Sequence, residues 1–146
     1  MHCQLCEEEG GTVLWRDDFC RVVRVQGGDY PGLCRVVINR HVREMTDLAD
    51  AESARLMRAV FATESALRGL FQPDKMNLAS FGNQVPHLHW HVIPRRVDDP
   101  HFPDPSWGPV RRPAPPVRPE VSDAAITAKL DELLGSGVLN QETIQP

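Results

Sequence analysis

The chain has 146 residues, of which 41 % are hydrophobic, so we expect a single compact domain with an ordinary apolar core. Its 16 basic and 20 acidic residues give a net charge of −4. This balance argues against a nucleic-acid duplex as the main partner, although a small anionic ligand remains compatible with it. Because the sequence has no apolar run of membrane-spanning length and no signal-like N-terminus, we expect a cytoplasmic protein with no membrane partner.

Five short runs rich in β-forming residues predict a sheet, and one long run at helical spacing predicts a helix. The predicted strands lie at 12–15, 20–26, 33–39, 76–81 and 87–93. The turn-like residues Arg16, Asp17 and Asp18 join the first two strands as a hairpin. Thr46 has the character of a helix N-cap, and the helix continues to about Phe71. The predicted fold class is therefore α+β, with a mostly antiparallel sheet, one long helix and a C-terminal extension.

The composition changes after the last predicted strand, where prolines become dense between residues 94 and 119. Because proline has no backbone N–H to donate, we interpret this stretch as an extended segment. A short helix capped by Ser122 is predicted behind it. We therefore divide the chain into a first domain over 1–108 and a proline-rich extension over 109–146. The extension either orders against a partner subunit or stays mobile.

Three histidines alternate with apolar residues in the last predicted strand, at His87, His89 and His91. Alternate side chains of a strand share a face, so we expect the three imidazoles on one side and Leu88 and Trp90 in the opposite, buried layer. Imidazoles that lose hydration need hydrogen-bond partners or a metal. Two alternatives to a catalytic role follow from this pattern. One is a polar, solvent-facing strand, and the other is a zinc site that uses all three histidines.

The run from His87 to Ile93 resembles the signature of the histidine triad (HIT) family, in which histidines alternate with apolar residues. The similarity covers roughly residues 3–95. It is supported by short matches before and after the third strand, which are Tyr30, Pro31 and Gly32, and Asn39, Arg40 and His41. The resemblance implies a HIT-like α+β fold, a homodimer and a nucleotide as the substrate.

The resemblance also implies a reaction in which His89 attacks the α-phosphorus of a dinucleoside polyphosphate or a nucleoside phosphoramidate. A neutral imidazole is a competent nucleophile near pH 7, and water then hydrolyses the nucleotidyl-histidine. His91 is expected to fix the tautomer and orientation of its neighbour. The expected function is that of a nucleotide hydrolase or transferase. The alternatives are a non-catalytic nucleotide-binding or signalling module and a zinc hydrolase that binds its metal through the triad.

Polar residues before the triad are the candidate substrate ligands. The resemblance points to Asn77 and to the loop formed by Gly82, Asn83 and Gln84, whose backbone and side-chain donors suit phosphate oxygens. Ordinary turn or strand-end roles for the two asparagines are the alternative. Many family members carry a fourth histidine at the start of the third strand. Leu33 occupies that place here, and this difference supports the alternative of a binding module.

The spacing of Cys3 and Cys6 lets two thiolates bind one zinc ion, whereas a disulfide framework is not expected in a reducing compartment. For HIT proteins with such an N-terminal pair, the resemblance implies His41 and His87 as the other two ligands. The result would be a closed, structural zinc site that ties the N-terminus to the third and last strands. The alternative is a pair of reduced thiols at a frayed N-terminus. The remaining two cysteines lie in apolar strand patterns and are expected to be buried.

Overall fold

A five-stranded sheet in the order β1-β2-β3-β5-β4 forms the centre of the computed structural model, which describes residues 2–138. Every pair of neighbouring strands is antiparallel. The strands are β1 (Thr12–Arg16), β2 (Cys20–Arg24), β3 (Cys34–Ile38), β4 (Lys75–Ala79) and β5 (His89–Arg95). The predicted α+β class is confirmed. The predicted start of the last strand is wrong, because β5 begins at His89 rather than at His87.

The helices of the described chain are α1 (Gln4–Glu7), α2 (Asp50–Phe71) and α3 (Asp123–Leu134), and a 3₁₀ turn covers Met45–Asp47. The long helix begins later than predicted, since Thr46 lies in the 3₁₀ turn. Its first turn is closed by Glu52, whose side chain reaches back to accept from the backbone N–H of Ala49 at 3.1 Å. Gln72 ends it in the left-handed conformation, with φ of 47°, just before Pro73. No helix within residues 2–138 is both long enough and apolar enough to cross a membrane.

The hairpin between β1 and β2 turns at Asp17, as the sequence predicts. The Oδ1 atom of Asp17 accepts hydrogen bonds from the backbone N–H groups of Phe19 and Cys20, both at 2.8 Å. An aspartate that bonds the backbone two and three residues ahead stabilises a tight turn, and this explains why the chain reverses at this point.

The two faces of the sheet are covered by different elements. Helices α2 and α3 pack on one face and close the main core, whose fully buried members include Val22, Val36, Leu56, Leu67 and Val92. Leu5 of α1 packs on the other face against Val23 and Val37. Directly opposite residues of antiparallel strands share a face. His89 lies opposite Val37 and His91 lies opposite Arg35, so both histidines lie on this second face, which we call the histidine face.

Helix α3, at the C-terminal end of the described chain, belongs to the main core. Ile126 and Leu130 are fully buried there with residues of α2 and the sheet. The indole N–H of Trp15 donates to the carbonyl of Gly135 at 2.9 Å and holds the end of α3 against β1. This part of the extension therefore packs on its own chain. Residues 139–146 lie outside the described residues, and the proposed division at residue 108 stays a prediction.

Truncation of Leu130 tests whether α3 contributes to the core of the protein. Because a buried leucine loses apolar contacts and leaves a cavity, we expect Leu130→Ala to lower the free energy of unfolding by about 2–5 kcal/mol. Leu133→Ala is the matched control on the same helix, where the side chain is 40 % exposed. We expect it to cost no more than about 0.5 kcal/mol. Urea unfolding measures both changes, and equally small values would contradict this packing of α3.

Candidate active site and metal centre

His89 is held in one orientation by a hydrogen bond to the backbone. Its Nδ1 atom lies 2.5 Å from the carbonyl oxygen of His87, and the residue is 8 % exposed. A carbonyl oxygen can only accept, so Nδ1 must carry the hydrogen and donate it. The lone pair of the neutral ring is therefore on Nε2. This tautomer offers Nε2 as a nucleophile.

Burial keeps the imidazoles of the histidine face neutral. Desolvation is the main cause that lowers the pKa of His91 to about 4, and electrostatic interactions with His89 and Arg35 lower it further. Desolvation also lowers the pKa of His89, where the hydrogen bond to His87 opposes the shift and Arg35 adds to it. Both rings are therefore uncharged at pH 7, which is the state that a nitrogen nucleophile requires.

His91 does not fix the tautomer of His89, contrary to the expectation from the sequence. The backbone carbonyl of His87 makes that contact, while the ring centroid of His91 lies 5.1 Å from that of His89. Within residues 2–138, the imidazole of His91 has no hydrogen-bond partner, and its ring centroid lies 6.1 Å from that of Phe81. Ser80 adds a second constraint on His89, since its hydroxyl donates to the backbone carbonyl of His89 at 2.7 Å. The ring nitrogens of His91 are thus free to meet a ligand.

The predicted substrate ligands divide into two groups. Gly82 has φ of 72°, a left-handed conformation that favours glycine, and it turns the loop between β4 and β5. Asn83 and Gln84 are exposed in this loop, and their side chains bond to nothing else in the described chain. Asn77 is different, because its Oδ1 atom accepts from Arg95 at 2.8 Å. The loop amides can therefore meet a ligand, whereas Asn77 helps to hold an arginine.

A polar network fixes the segment that follows β5. The guanidinium of Arg95 is buried and donates twice to Asp99, at 2.7 and 3.0 Å. The hydroxyl of Tyr30 donates to the same carboxylate at 3.0 Å and lies 2.7 Å from Nδ1 of His101. Burial alone raises the pKa of Asp99, but the hydrogen bonds from Arg95, from the backbone of His101 and from Tyr30 outweigh it and hold the pKa at about 2. Asp99 therefore stays ionised and paired with Arg95, and this ion pair holds the segment that follows β5.

Two features of the histidine face were missed by the sequence analysis. Arg35 lies directly opposite His91, and its buried Nε atom has no hydrogen-bond partner among the described residues. Its signal was a single charge within an otherwise apolar strand. Phe81 borders His91 and meets Trp107 edge to face at a centroid distance of 4.6 Å. That contact joins distant parts of the chain, so no local pattern predicts it.

Cys3, Cys6, His41 and His87 come together at one end of the histidine face. Each offers a metal-ligating atom, and these four atoms all lie within 4.8 Å of one another. Cys3 immediately precedes α1 and Cys6 lies within it, whereas His41 follows β3 and His87 precedes β5. Among residues 2–138, the cluster includes His87 but neither His89 nor His91. The geometry therefore does not favour a zinc site made of all three triad histidines.

The distances within this cluster fit a tetrahedral zinc ion. With Zn–S of about 2.3 Å and Zn–N of about 2.0 Å, sulfur and nitrogen ligands lie about 3.5 Å apart. The Nδ1 atom of His87 lies 3.3 Å from Sγ of Cys3 and 3.5 Å from Sγ of Cys6. The Sγ atom of Cys6 is also 3.5 Å from Nδ1 of His41. The other ring nitrogen of His87 bonds the carbonyl of Ile38 at 2.6 Å, which leaves Nδ1 as the ligand atom.

Comparison with proteins of known sequence identifies related chains. The family model described as HIT domain matches residues 7–98, which is more than half of the chain. Two proteins named AP-4-A phosphorylase, from Mycobacterium tuberculosis strains CDC 1551 and H37Rv, are each 33 % identical over 105 residues. This match covers 68 % of the chain and 53 % of each relative. The chain thus spans about half the length of these curated relatives.

Solved structures agree with the family model. A histidine triad protein from Bradyrhizobium japonicum is 29 % identical with a TM-score of 0.68, and the match covers 92 % of this chain and 96 % of that one. A histidine triad protein from Marinobacter aquaeolei is 33 % identical with a TM-score of 0.66, covering 86 % and 90 % of the two chains. On its sequence, its sheet and its histidines, the chain belongs to the histidine triad (HIT) family.

Proposed function

We propose that the chain is a nucleotide hydrolase or transferase that cleaves a phosphoanhydride or phosphoramidate linkage through a nucleotidyl intermediate on His89. The hydrogen bond of 2.5 Å between Nδ1 of His89 and the carbonyl of His87 carries this proposal, because it reserves Nε2 for attack. The relatives named AP-4-A phosphorylase support a nucleotide as the substrate. The exposed amides of Asn83 and Gln84 are the proposed contacts to the bound nucleotide.

The reaction has two displacements at the α-phosphorus. In the first, the lone pair of Nε2 of His89 forms a P–N bond, and the leaving group departs with the electrons of its bond to phosphorus. The imidazole then carries positive charge, which the carbonyl of His87 stabilises by accepting the Nδ1–H hydrogen bond. In the second, water or another acceptor forms a new P–O bond, the P–N electrons return to Nε2, and the acceptor loses a proton to solvent. Neutral His91 is positioned to donate a ring N–H to a phosphate oxygen.

Replacement of the nucleophile tests the proposed activity. We expect His89→Asn to lower kcat by about a thousandfold or more, since the covalent route is lost while the neighbouring groups remain. The measurement is turnover of diadenosine tetraphosphate and of adenosine 5′-phosphoramidate. Parallel assays with and without inorganic phosphate distinguish a phosphate acceptor, which would give ADP, from water, which would give AMP.

His2→Asn is the matched control for this substitution, because the side chain of His2 is 95 % exposed and lies outside the site. It should keep the wild-type rate. Circular dichroism should show the same fold for both variants. Turnover by His89→Asn near the wild-type rate would overturn the assignment of the nucleophile.

The pH dependence of the reaction follows from the neutral histidines. Because burial lowers the pKa values of His89 and His91 below the ordinary 6.5, both rings stay neutral as the pH falls through that value. We therefore expect kcat/KM for diadenosine tetraphosphate to hold from pH 7 through pH 6.5, and to fall only at lower pH. A profile that loses half its value at or above pH 6.5 would contradict the neutral, buried nucleophile.

We also propose that the cluster of Cys3, Cys6, His41 and His87 holds a structural zinc ion. Four protein ligands close the coordination shell, so the ion would link α1, β3 and β5 and take no part in the displacements. We expect about one zinc per chain, measured by elemental analysis of protein purified without chelator. Cys6→Ser should lose most of it, whereas Cys20→Ala, at a buried core cysteine, should retain it. Equal metal content in the two variants would contradict the site.

A homodimer is the expected assembly of the active protein. The outer edge of β4 pairs with no strand in the described chain, and Phe61 of α2 is 55 % exposed. Unpaired strand edges and exposed aromatic side chains are typical of surfaces that bind another chain. Light scattering on the purified chain should give twice the monomer mass, and a monomer at all concentrations would contradict this expectation.

A further inference from the structure

On the inner strands β2, β3 and β5, three arginines lie on the histidine face, and two of them are fully engaged. Arg21 of β2 donates to the backbone carbonyls of Leu5, Glu8 and Glu9 at 2.7, 3.2 and 3.0 Å, and so holds the N-terminal segment. The guanidinium of Arg95 of β5 donates twice to the carboxylate of Asp99. Arg35 of β3 is different.

Arg35 carries a positive charge without a counter-charge in the described chain. Its one hydrogen bond runs from Nη1 to the carbonyl of Gly10 at 3.3 Å, while the buried Nε atom has no partner. No carboxylate between residues 2 and 138 lies within ion-pair distance of it. A partly buried cation with unused donors is costly unless an anion binds there. The guanidinium therefore has both the charge and the free donors to hold one.

The position of Arg35 puts this charge beside the reacting histidines. Arg35 lies directly opposite His91, and Val37 lies opposite His89. Side chains directly opposite each other begin only about 5 Å apart. Val37 is apolar and is the other residue of β3 that lies opposite a triad histidine, so within Cys34–Ile38 no other polar side chain is directed to the histidine face. Arg95, the other arginine of β3 and β5, is paired with Asp99, so Arg35 is the cation of these two strands that remains free for an anionic substrate.

We propose that Arg35 is the phosphate-binding residue of this site, with its guanidinium paired to the non-bridging oxygens of the phosphate that His89 attacks. This role rests on the proposed function. It makes Arg35 the residue that selects an anionic nucleoside phosphate over the uncharged nucleoside. A guanidinium suits the task because its planar fork can donate two parallel hydrogen bonds to a phosphate. In the displacement it would also stabilise negative charge on the phosphoryl oxygens.

The affinities for AMP and for adenosine test this assignment, since the two ligands differ only in the phosphate. We expect Arg35→Gln to weaken AMP binding by about 10- to 100-fold, the range for a lost charge-assisted hydrogen-bonded pair, and to change adenosine binding by less than about threefold. Arg35→Lys keeps the charge without the fork, so it should fall between the wild type and Arg35→Gln. Arg58→Gln, at an exposed position on α2, is the control and should leave both affinities unchanged. Titration calorimetry on the full chain measures all four proteins.

The outcomes separate this inference from the proposed function. A selective loss of AMP affinity in Arg35→Gln supports the assignment, and it does so even if no turnover is found for any substrate. Equal losses for AMP and adenosine, or no loss for either, overturn it, and this holds even if His89 forms a nucleotidyl adduct. If Arg35→Gln unfolds, Arg35→Lys decides the question, because AMP affinity equal to that of the wild type would contradict a forked phosphate contact.

Discussion

The carbonyl group of His87 is the point on which the arrangement of the site depends. It accepts the Nδ1–H of His89 and so determines which nitrogen of that ring has the lone pair. The ring of His87 is itself immobilised, since it is fully buried, bonds the carbonyl of Ile38 at 2.6 Å and directs Nδ1 at Cys3 and Cys6. His87, which orients the ring of His89, is thus tied to β3 and to the N-terminal segment. A metal at this cluster would stiffen the same connection without touching the reacting atoms.

Electrostatics at the reacting end of the histidine face depend on burial and on the unpaired charge of Arg35. Desolvation keeps His89 and His91 neutral, so neither ring repels the other or attracts an anion by charge. Arg21 and Arg95, the arginines of the neighbouring strands on this face, are committed to backbone carbonyls and to Asp99. Arg35 is left to attract a phosphate to a neutral nucleophile. The charge and the lone pair must come from different side chains, because a cationic imidazole would bind phosphate well but would have no lone pair for attack.

Local patterns were sufficient to predict the sheet, the hairpin turn at Asp17 and the alternation that separates Leu88 from His89. These features depend on the side-chain period of a strand and on the turn chemistry of aspartate. The helix start was misplaced because Thr46 has the side chain of a cap, yet the capping contact is made by Glu52 to the backbone of Ala49. The start of β5 was misplaced because alternation continues through His87, although pairing with β3 begins only at His89.

The site was less accessible to sequence reasoning than the fold. The pairing of Cys3 and Cys6 with His41 and His87 came from family resemblance, since spacing alone does not join ligands so far apart in the chain. The tautomer of His89 depends on which backbone carbonyl lies within hydrogen-bond distance of its ring. The position of Arg35 opposite His91 follows from the pairing of β3 with β5, which the sequence alone does not give.

Trapping of the covalent intermediate tests directly whether His89 is the nucleophile. The wild-type chain would be mixed briefly with adenosine 5′-phosphoramidate, quenched in mild base because phosphohistidine bonds are acid-labile, and analysed by intact mass and peptide mapping. We expect a mass increase of one adenylyl group, located on His89. Release of AMP with no adduct at His89, or an adduct on another residue, would contradict it.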